Sequence, residues 1–145
     1  MSLDYNKLKS EIAVDTQIES SATTATAVSW LDMRSADSVL YDIANTDGNA
    51  GITALTMAVA VTSTGGTSAT LKTIDLTDRN PDAAGDYILE EVGAQEIAQK
   101  AAEDGAEYRY LAPTMTCDGT TGVFAVTSIK DVQFKNDDIN SDVIA

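Results

Sequence analysis

Any chemistry in this chain has to come from carboxylates. It holds 23 Asp and Glu residues, no His and one Cys, Cys117. Without His there is no His-based triad or general base and no Cys/His zinc site, and one Cys allows no disulfide within the chain. Asp75, Asp78, Asn80, Asp82 and Asp86 crowd one stretch, and oxygen-rich loops of that kind can bind Ca2+. The spacing Asp78-x-Asn80-x-Asp82 matches the first three ligand positions of an EF-hand loop. Ala83 then stands where the sharp turn demands Gly, Leu89 stands where Glu closes the site, and Pro81 lies inside. A polar turn solvated by water is therefore the expectation here, and equally at Asn45-Thr46-Asp47-Gly48-Asn49.

The remaining candidates fail on geometry or spacing. Glu90 and Glu91 are adjacent on a predicted strand, so they point to opposite faces and cannot converge as a glycosidase pair. Gly65-Gly66-Thr67-Ser68 has no Gly-Lys-Ser/Thr after it, only Lys72 further on, and so is no phosphate loop. No Ser-x-x-Lys spacing occurs. Cys117 lies in a predicted strand beside Asp118, whose negative charge raises a thiol pKa, which fits an inert core thiol. The residues point to no enzyme, with no catalytic, cofactor-binding or metal-binding set. Trp30, near Leu31 and Met33, is either a binding anchor or, as favoured here, a Trp packed between two sheets. Tyr108 and Tyr110 sit two apart, which on a strand gives them one face, opposite Arg109. That pair could stack on sugar rings or pack across strands on Val123 or Ala125.

The elements that must position these residues read as strands. Leu55, Met57, Val59 and Val61 alternate with Ala54, Thr56, Ala58 and Ala60, a period of two with a bulky face for a core and a small face for thin cover or a neighbouring molecule. Further strands are expected over 28–33, 38–45, 68–76, 87–92, 107–117 and 123–134. Asp47-Gly48, Gly65-Gly66 and Asp118-Gly119 supply turns between them, and 107–117 with 123–134 reads as a long hairpin. Ala94–Asp104 is rich in helix formers and is followed by Gly105, so it is expected as a short helix or a loop with one helical turn. The fold class that follows is all-β: a β-sandwich or jelly roll with one short helix and extended polar terminal arms.

The chain has 145 residues, 43% of them apolar, and a formal net charge of −14. That length suits one domain able to bury roughly 68–70% of its unfolded surface. The charge argues against nucleic acid, whose affinity depends on Lys and Arg displacing counterions. No stretch approaches the ~18 apolar residues of a membrane span, and the start lacks the apolar region of a signal peptide, so synthesis and use on the cytoplasmic side are expected. Organisation is expected as an N-terminal arm at 1–26, a β-sandwich domain at 27–135 and an acidic tail at 136–145. Leu3, Tyr5, Leu8, Ile12, Val14 and Ile18, with Val143 and Ile144 at the other end, place apolar side chains on polar termini. These residues suit arms that dock and order on assembly, and are the expected interface with neighbouring protein subunits.

Three runs resemble a known family: Gly65-Gly66-Thr67-Ser68-Ala69-Thr70-Leu71-Lys72, then Gly105-Ala106-Glu107-Tyr108-Arg109-Tyr110-Leu111, then Thr114-Met115-Thr116-Cys117-Asp118-Gly119-Thr120-Thr121-Gly122-Val123. In this order they are similar to small structural proteins of tailed phages, the capsid decoration or cement proteins, over about residues 36–130. Two departures stand out: Leu111 and Ala112 follow Tyr110 where the family has a second Arg, and Thr73-Ile74-Asp75-Leu76-Thr77-Asp78 replaces its Gln-x-Ser-Asp-Asp stretch. The resemblance implies a β-sandwich, usually trimeric, on the virion's outer capsid surface. Its partners would be the major capsid protein and copies of itself, with no cofactor. The alternative is a phage fibre or tail domain, or a carbohydrate-binding β-sandwich using Trp30, Tyr108 and Tyr110.

Overall fold

The computed structural model describes residues 11–132. The expectations placed on Leu3, Tyr5, Leu8, Val143 and Ile144, on residues 1–10 of the N-terminal arm and on the acidic tail lie outside the described residues, whereas 11–20 of that arm form a strand of the sandwich. In chain order the first elements are β1 (Glu11–Ser20), β2 (Thr26–Ala27), β3 (Leu31–Asp32), β4 (Ala36–Asn45), β5 (Ile52–Ala60) and β6 (Ser68–Ile74). There follow β7 (Tyr87–Gly93), α1 (Ala94–Asp104), β8 (Tyr110–Cys117) and β9 (Val123–Val132). Strands make up 52% and form two antiparallel sheets, so the protein is an all-β sandwich with one short helix.

One sheet runs β1-β9-β4-β7; the other runs β2-β8-β5-β6, with β3 also pairing β8. The core lies between them and is built from alternate residues. Val39, Tyr41 and Ile43 of β4 meet Leu55, Met57 and Val59 of β5, with Phe124, Val126, Leu111 and Met115 in the same buried cluster. The bulky face read from the β5 alternation is thus the core face. Val61 falls just past the strand and is half-buried.

The helix spans Ala94–Asp104, and Gly105 ends it at φ 65° with its N–H on the Ala101 carbonyl. Gly93 N donates to the Glu96 carboxylate at 2.8 Å, supplying a cap that Gly itself lacks. Ile97 is the helix residue that reaches the core.

The expected hairpin between 107–117 and 123–134 does not form. β8 and β9 belong to different sheets, and residues 118–122 cross the sandwich instead of reversing within one sheet. Sheets stack about 10 Å apart, a distance that five residues span easily. The Asp47-Gly48 turn crosses in the same way, from β4 to β5, and the two crossings brace each other. Gly51 N donates to Asp118 Oδ1 at 2.9 Å and Asp118 N to Gly51 O at 3.0 Å. Gly122 lies so close to Ala50 that a Cβ there would meet Ala50 Cβ at 2.7 Å. Gly65-Gly66 is the turn that does make a hairpin, joining β5 to β6.

The strand expected over 28–33 shrinks to two short pairings, Thr26–Ala27 and Leu31–Asp32, both against β8. Trp30 sits beside the second, half-buried and outside the core cluster, so it is not the inter-sheet Trp that was favoured. Its indole instead covers Gly65, where a Cβ would come within 2.7 Å of Nε1. Gly65 also has φ +86°, so Gly65→Ala combines a left-handed backbone with a clash against a rigid ring. We expect Gly65→Ala to lower the unfolding free energy by about 1–3 kcal/mol in urea titrations; an unchanged midpoint contradicts the packing of Trp30 on this loop.

Candidate functional site

Residues 11–20, whose polar composition placed them in a leader, pair with β9 along their whole length, from Glu11 opposite Val132 to Ser20 opposite Val123. The strand faces the wrong way for a core element. Asp15, Gln17 and Glu19 take the inward parity, and Asp15 and Gln17 line a cavity of about 200 Å3 beneath the strand. Val14 and Ile18 point outward, 63% and 69% exposed. A one-residue slip would exchange the two faces, and burial alone would favour that slip. The observed register leaves aliphatic side chains in water.

Neighbouring strands continue the same outward surface. Val14, Ile129, Leu40 and Glu91 form one row across the sheet; Ile18, Ala125, Ala44 and Tyr87 form another. Between them run Thr16, Thr127, Asp42 and Leu89, with Thr16 and Thr127 joined through their hydroxyls at 3.0 Å. The exposed large hydrophobics of the described residues are Val14, Ile18, Tyr87 and Leu89, and all four lie on this face. Among the described residues its charged members are Asp42, Glu91 and Asp131, and its strands place no Lys or Arg on it. One carboxylate oxygen of Asp42 and one of Asp131 are buried without a hydrogen-bond partner among the described residues. The face is therefore apolar, acidic in its charges and short of donors.

The opposite sheet differs. Ala54, Thr56 and Ala58 of β5, with Thr114 and Thr116 of β8, give its outer surface small side chains.

The other sequence candidates are engaged locally. Glu90 holds Lys72 and Arg79, each at 3.2 Å, while Glu91 points the other way, as adjacent strand residues must. Asp75 accepts from Thr77 N and Oγ1, at 2.9 and 2.6 Å, and Asp86 accepts from Ala83 N. Asp78, Asn80 and Asp82 are exposed on the same turn, and no three Asp, Glu or Cys side chains among the described residues converge to hold a cation. Asp47 accepts from Asn49 N and Val123 N. Cys117 is buried, and burial more than the adjacent Asp118 pushes its thiol up.

Trp30, Tyr108 and Tyr110 each have local partners. Tyr108 precedes β8 and donates to Asp104 at 2.7 Å. Tyr110 pairs with Ala60 and Asp32, not with Val123 or Ala125, and lies under Arg34. Arg34 in turn grips Asp32 at 2.6 Å and holds that carboxyl below its ordinary value. Trp30 lines the cavity below β1 together with Tyr41, whose hydroxyl is buried without a hydrogen-bond partner among the described residues and whose ionisation burial pushes up.

Several surface carboxylates share one pH consequence. Asp47 is held low mainly by Asn49 N–H, Asp75 mainly by the Thr77 hydroxyl and Asp104 mainly by Tyr108. A carboxylate whose folded pKa is depressed contributes stability above its unfolded pKa of about 3.9 and loses it as pH falls through the folded value. We expect a melting temperature that declines below about pH 4 through these groups, with a shallower decline in Tyr108→Phe. A Tyr108→Phe profile that overlays the wild type over that range contradicts the Asp104 assignment.

No family model and no curated protein matches this chain. One solved structure, described as "Bacillus endospore appendages form a novel family of disulfide-linked pili", is similar over 88% of this chain and 94% of that one. Its identity is 16% and its TM-score 0.41, a likeness too distant to assign a partner or a role.

Proposed function

We propose that this chain is a structural virion protein: a decoration (cement) protein that binds the outer surface of a tailed-phage head and stabilises joints between major capsid subunits. The observation that carries the reading is the outward face of β1, β9, β4 and β7. A sheet face with Val14, Ile18, Tyr87 and Leu89 in water needs cover, and a protein surface supplies it. Removing the exposed parts of these side chains from water contributes roughly 1 kcal/mol each. The charges on this face are Asp42, Glu91 and Asp131, so a complementary patch on the capsid subunit is apolar and carries Arg or Lys.

The protein needs no catalysis for this role. It is made in the host cytoplasm, and its −14 charge on the capsid exterior keeps DNA and other particles apart. The sugar-binding alternative needs Trp30, Tyr108 and Tyr110 free to stack on a ring, and each already has a protein contact: Gly65, Asp104 and Arg34. The test is co-sedimentation with head shells assembled from the major capsid protein of the same genome. Saturable binding is expected, weakened at least tenfold in an Ile18→Asp, Leu89→Asp variant, about 1.4 kcal/mol. Wild-type protein that stays in the supernatant overturns the proposal.

A further inference from the structure

We propose that β1 is a self-pairing edge, through which two copies join antiparallel about a two-fold axis at Thr16 and merge their four-stranded sheets into one of eight strands. The inference does not depend on the capsid reading; it concerns the isolated protein.

Among the described residues, β1 is the one of the four sheet edges that is both long and left unpaired. β2 and β3 are two residues each. β6 is interrupted by a register shift against β5 and carries Lys72. On β7, two carbonyls are already taken: Arg79 donates to Leu89 O at 2.8 Å and Lys72 to Glu91 O at 2.7 Å. Bulges, lysines, short strands, covered carbonyls and inward-pointing charges are the ways natural sheets block strand addition. β1 has only the last of these, Asp15 and Glu19, and pairing about Thr16 sets them against Gln17 and Ala13. The strand runs ten residues, contains no Pro, Gly or Lys, and no described strand pairs with its outer edge.

Register selects the partner as a second copy. With Thr16 opposite Thr16 of the neighbour, Val14 falls opposite Ile18 and Ile18 opposite Val14 on the outward face. On the inward face Asp15 meets Gln17 and Ala13 meets Glu19, so no like charges oppose. Sliding by two residues one way sets Asp15 against Asp15; sliding the other way sets Asp15 against Glu19. Opposed like charges destabilise a strand pair, whereas aliphatic pairs and Asp–Gln contacts favour it. Gln17 reaches its own Asp15 only at 3.5 Å, which leaves its amide free to turn to the neighbour's. The two-fold interface is isologous and closes, giving a dimer in place of the trimer that the resemblance implies.

Cysteine cross-linking tests the register. Opposed residues in an antiparallel pair have Cα atoms about 4.5–5.5 Å apart, within disulfide range, and buried Cys117 stays silent. Thr16→Cys is expected to form a disulfide dimer on mild oxidation. Val14→Cys or Ile18→Cys alone stays uncross-linked, since each lies about 13 Å from its own copy, but the two mixed together cross-link. Sedimentation of the unmodified chain is expected at twice its 15.2 kDa, and a Val14→Lys, Ile18→Lys variant at the monomer mass. A monomeric or trimeric wild type, a Thr16→Cys protein that stays uncross-linked, or equal cross-linking at all three single positions overturns the proposal.

Discussion

Asn45→Ala is expected to lower the unfolding free energy by about 3–5 kcal/mol, close to abolishing the fold in a domain of ordinary stability. Asn45 is 1% exposed at the end of β4, where the chain crosses between sheets. Its side-chain amide donates to Ala50 O at 2.8 Å and Pro81 O at 2.9 Å, and its oxygen accepts from Gly48 N at 2.9 Å. One side chain thus ties the crossing turn to the loop before β7. Truncation leaves two buried carbonyls, Ala50 O and Pro81 O, without this partner and frees Gly48 N at the exposed turn, and each orphaned buried group costs about 1–3 kcal/mol. Asn45→Asp keeps the acceptor but sets a buried carboxylate oxygen against the two carbonyls, so at neutral pH it should lose at least as much as Ala. Urea titrations followed by circular dichroism read this directly; a loss under about 1 kcal/mol in Asn45→Ala contradicts the tie.

Phe124→Ala should cost about 3–5 kcal/mol through a different mechanism. Phe124 is fully buried on the inward face of β9, opposite Asn45 on one side and Glu19 on the other. Removing the ring loses its transfer energy and leaves a cavity that two braced crossings prevent from collapsing. Phe124→Leu keeps most of the apolar volume and should lose clearly less. Equal losses for Ala and Leu would mean that the ring's shape, rather than its buried area, sets the cost.

Much of this fold is legible in the sequence where a local signal has one structural meaning. The helix is bounded correctly because Ala, Gln, Glu and Lys favour it and Gly105 can take the left-handed conformation that ends it. The β5 alternation names its own core face. Turn chemistry is less informative. Asp47-Gly48, Asp118-Gly119 and Gly65-Gly66 all reverse the chain, but only the last stays within one sheet, and sheet membership depends on packing at Ala50 and Gly122 that no local window contains. Trp30 illustrates the same limit. Its apolar neighbours suggest the core, yet it packs on a glycine loop 35 residues further on.

The outward face of the β1-β9-β4-β7 sheet was legible only in part. Val14 and Ile18 stand out as aliphatic residues on a polar segment, whereas Leu40, Ala44, Tyr87, Leu89, Ala125 and Ile129 merge into runs that look like core. A signal was present: Val39-Leu40-Tyr41 and Ile43-Ala44 are apolar at consecutive positions, and a strand apolar on both faces is covered on both. The sandwich core covers one face of β4; the other looks outward.

Carbene footprinting of the chain bound to head shells tests that face most directly. Labelling at Val14, Ile18, Tyr87 and Leu89 should fall on binding, while Thr56 and Thr116 on the opposite sheet keep their free-state labelling. Protection of the threonine surface with those four side chains still labelled would contradict the assignment of the working surface.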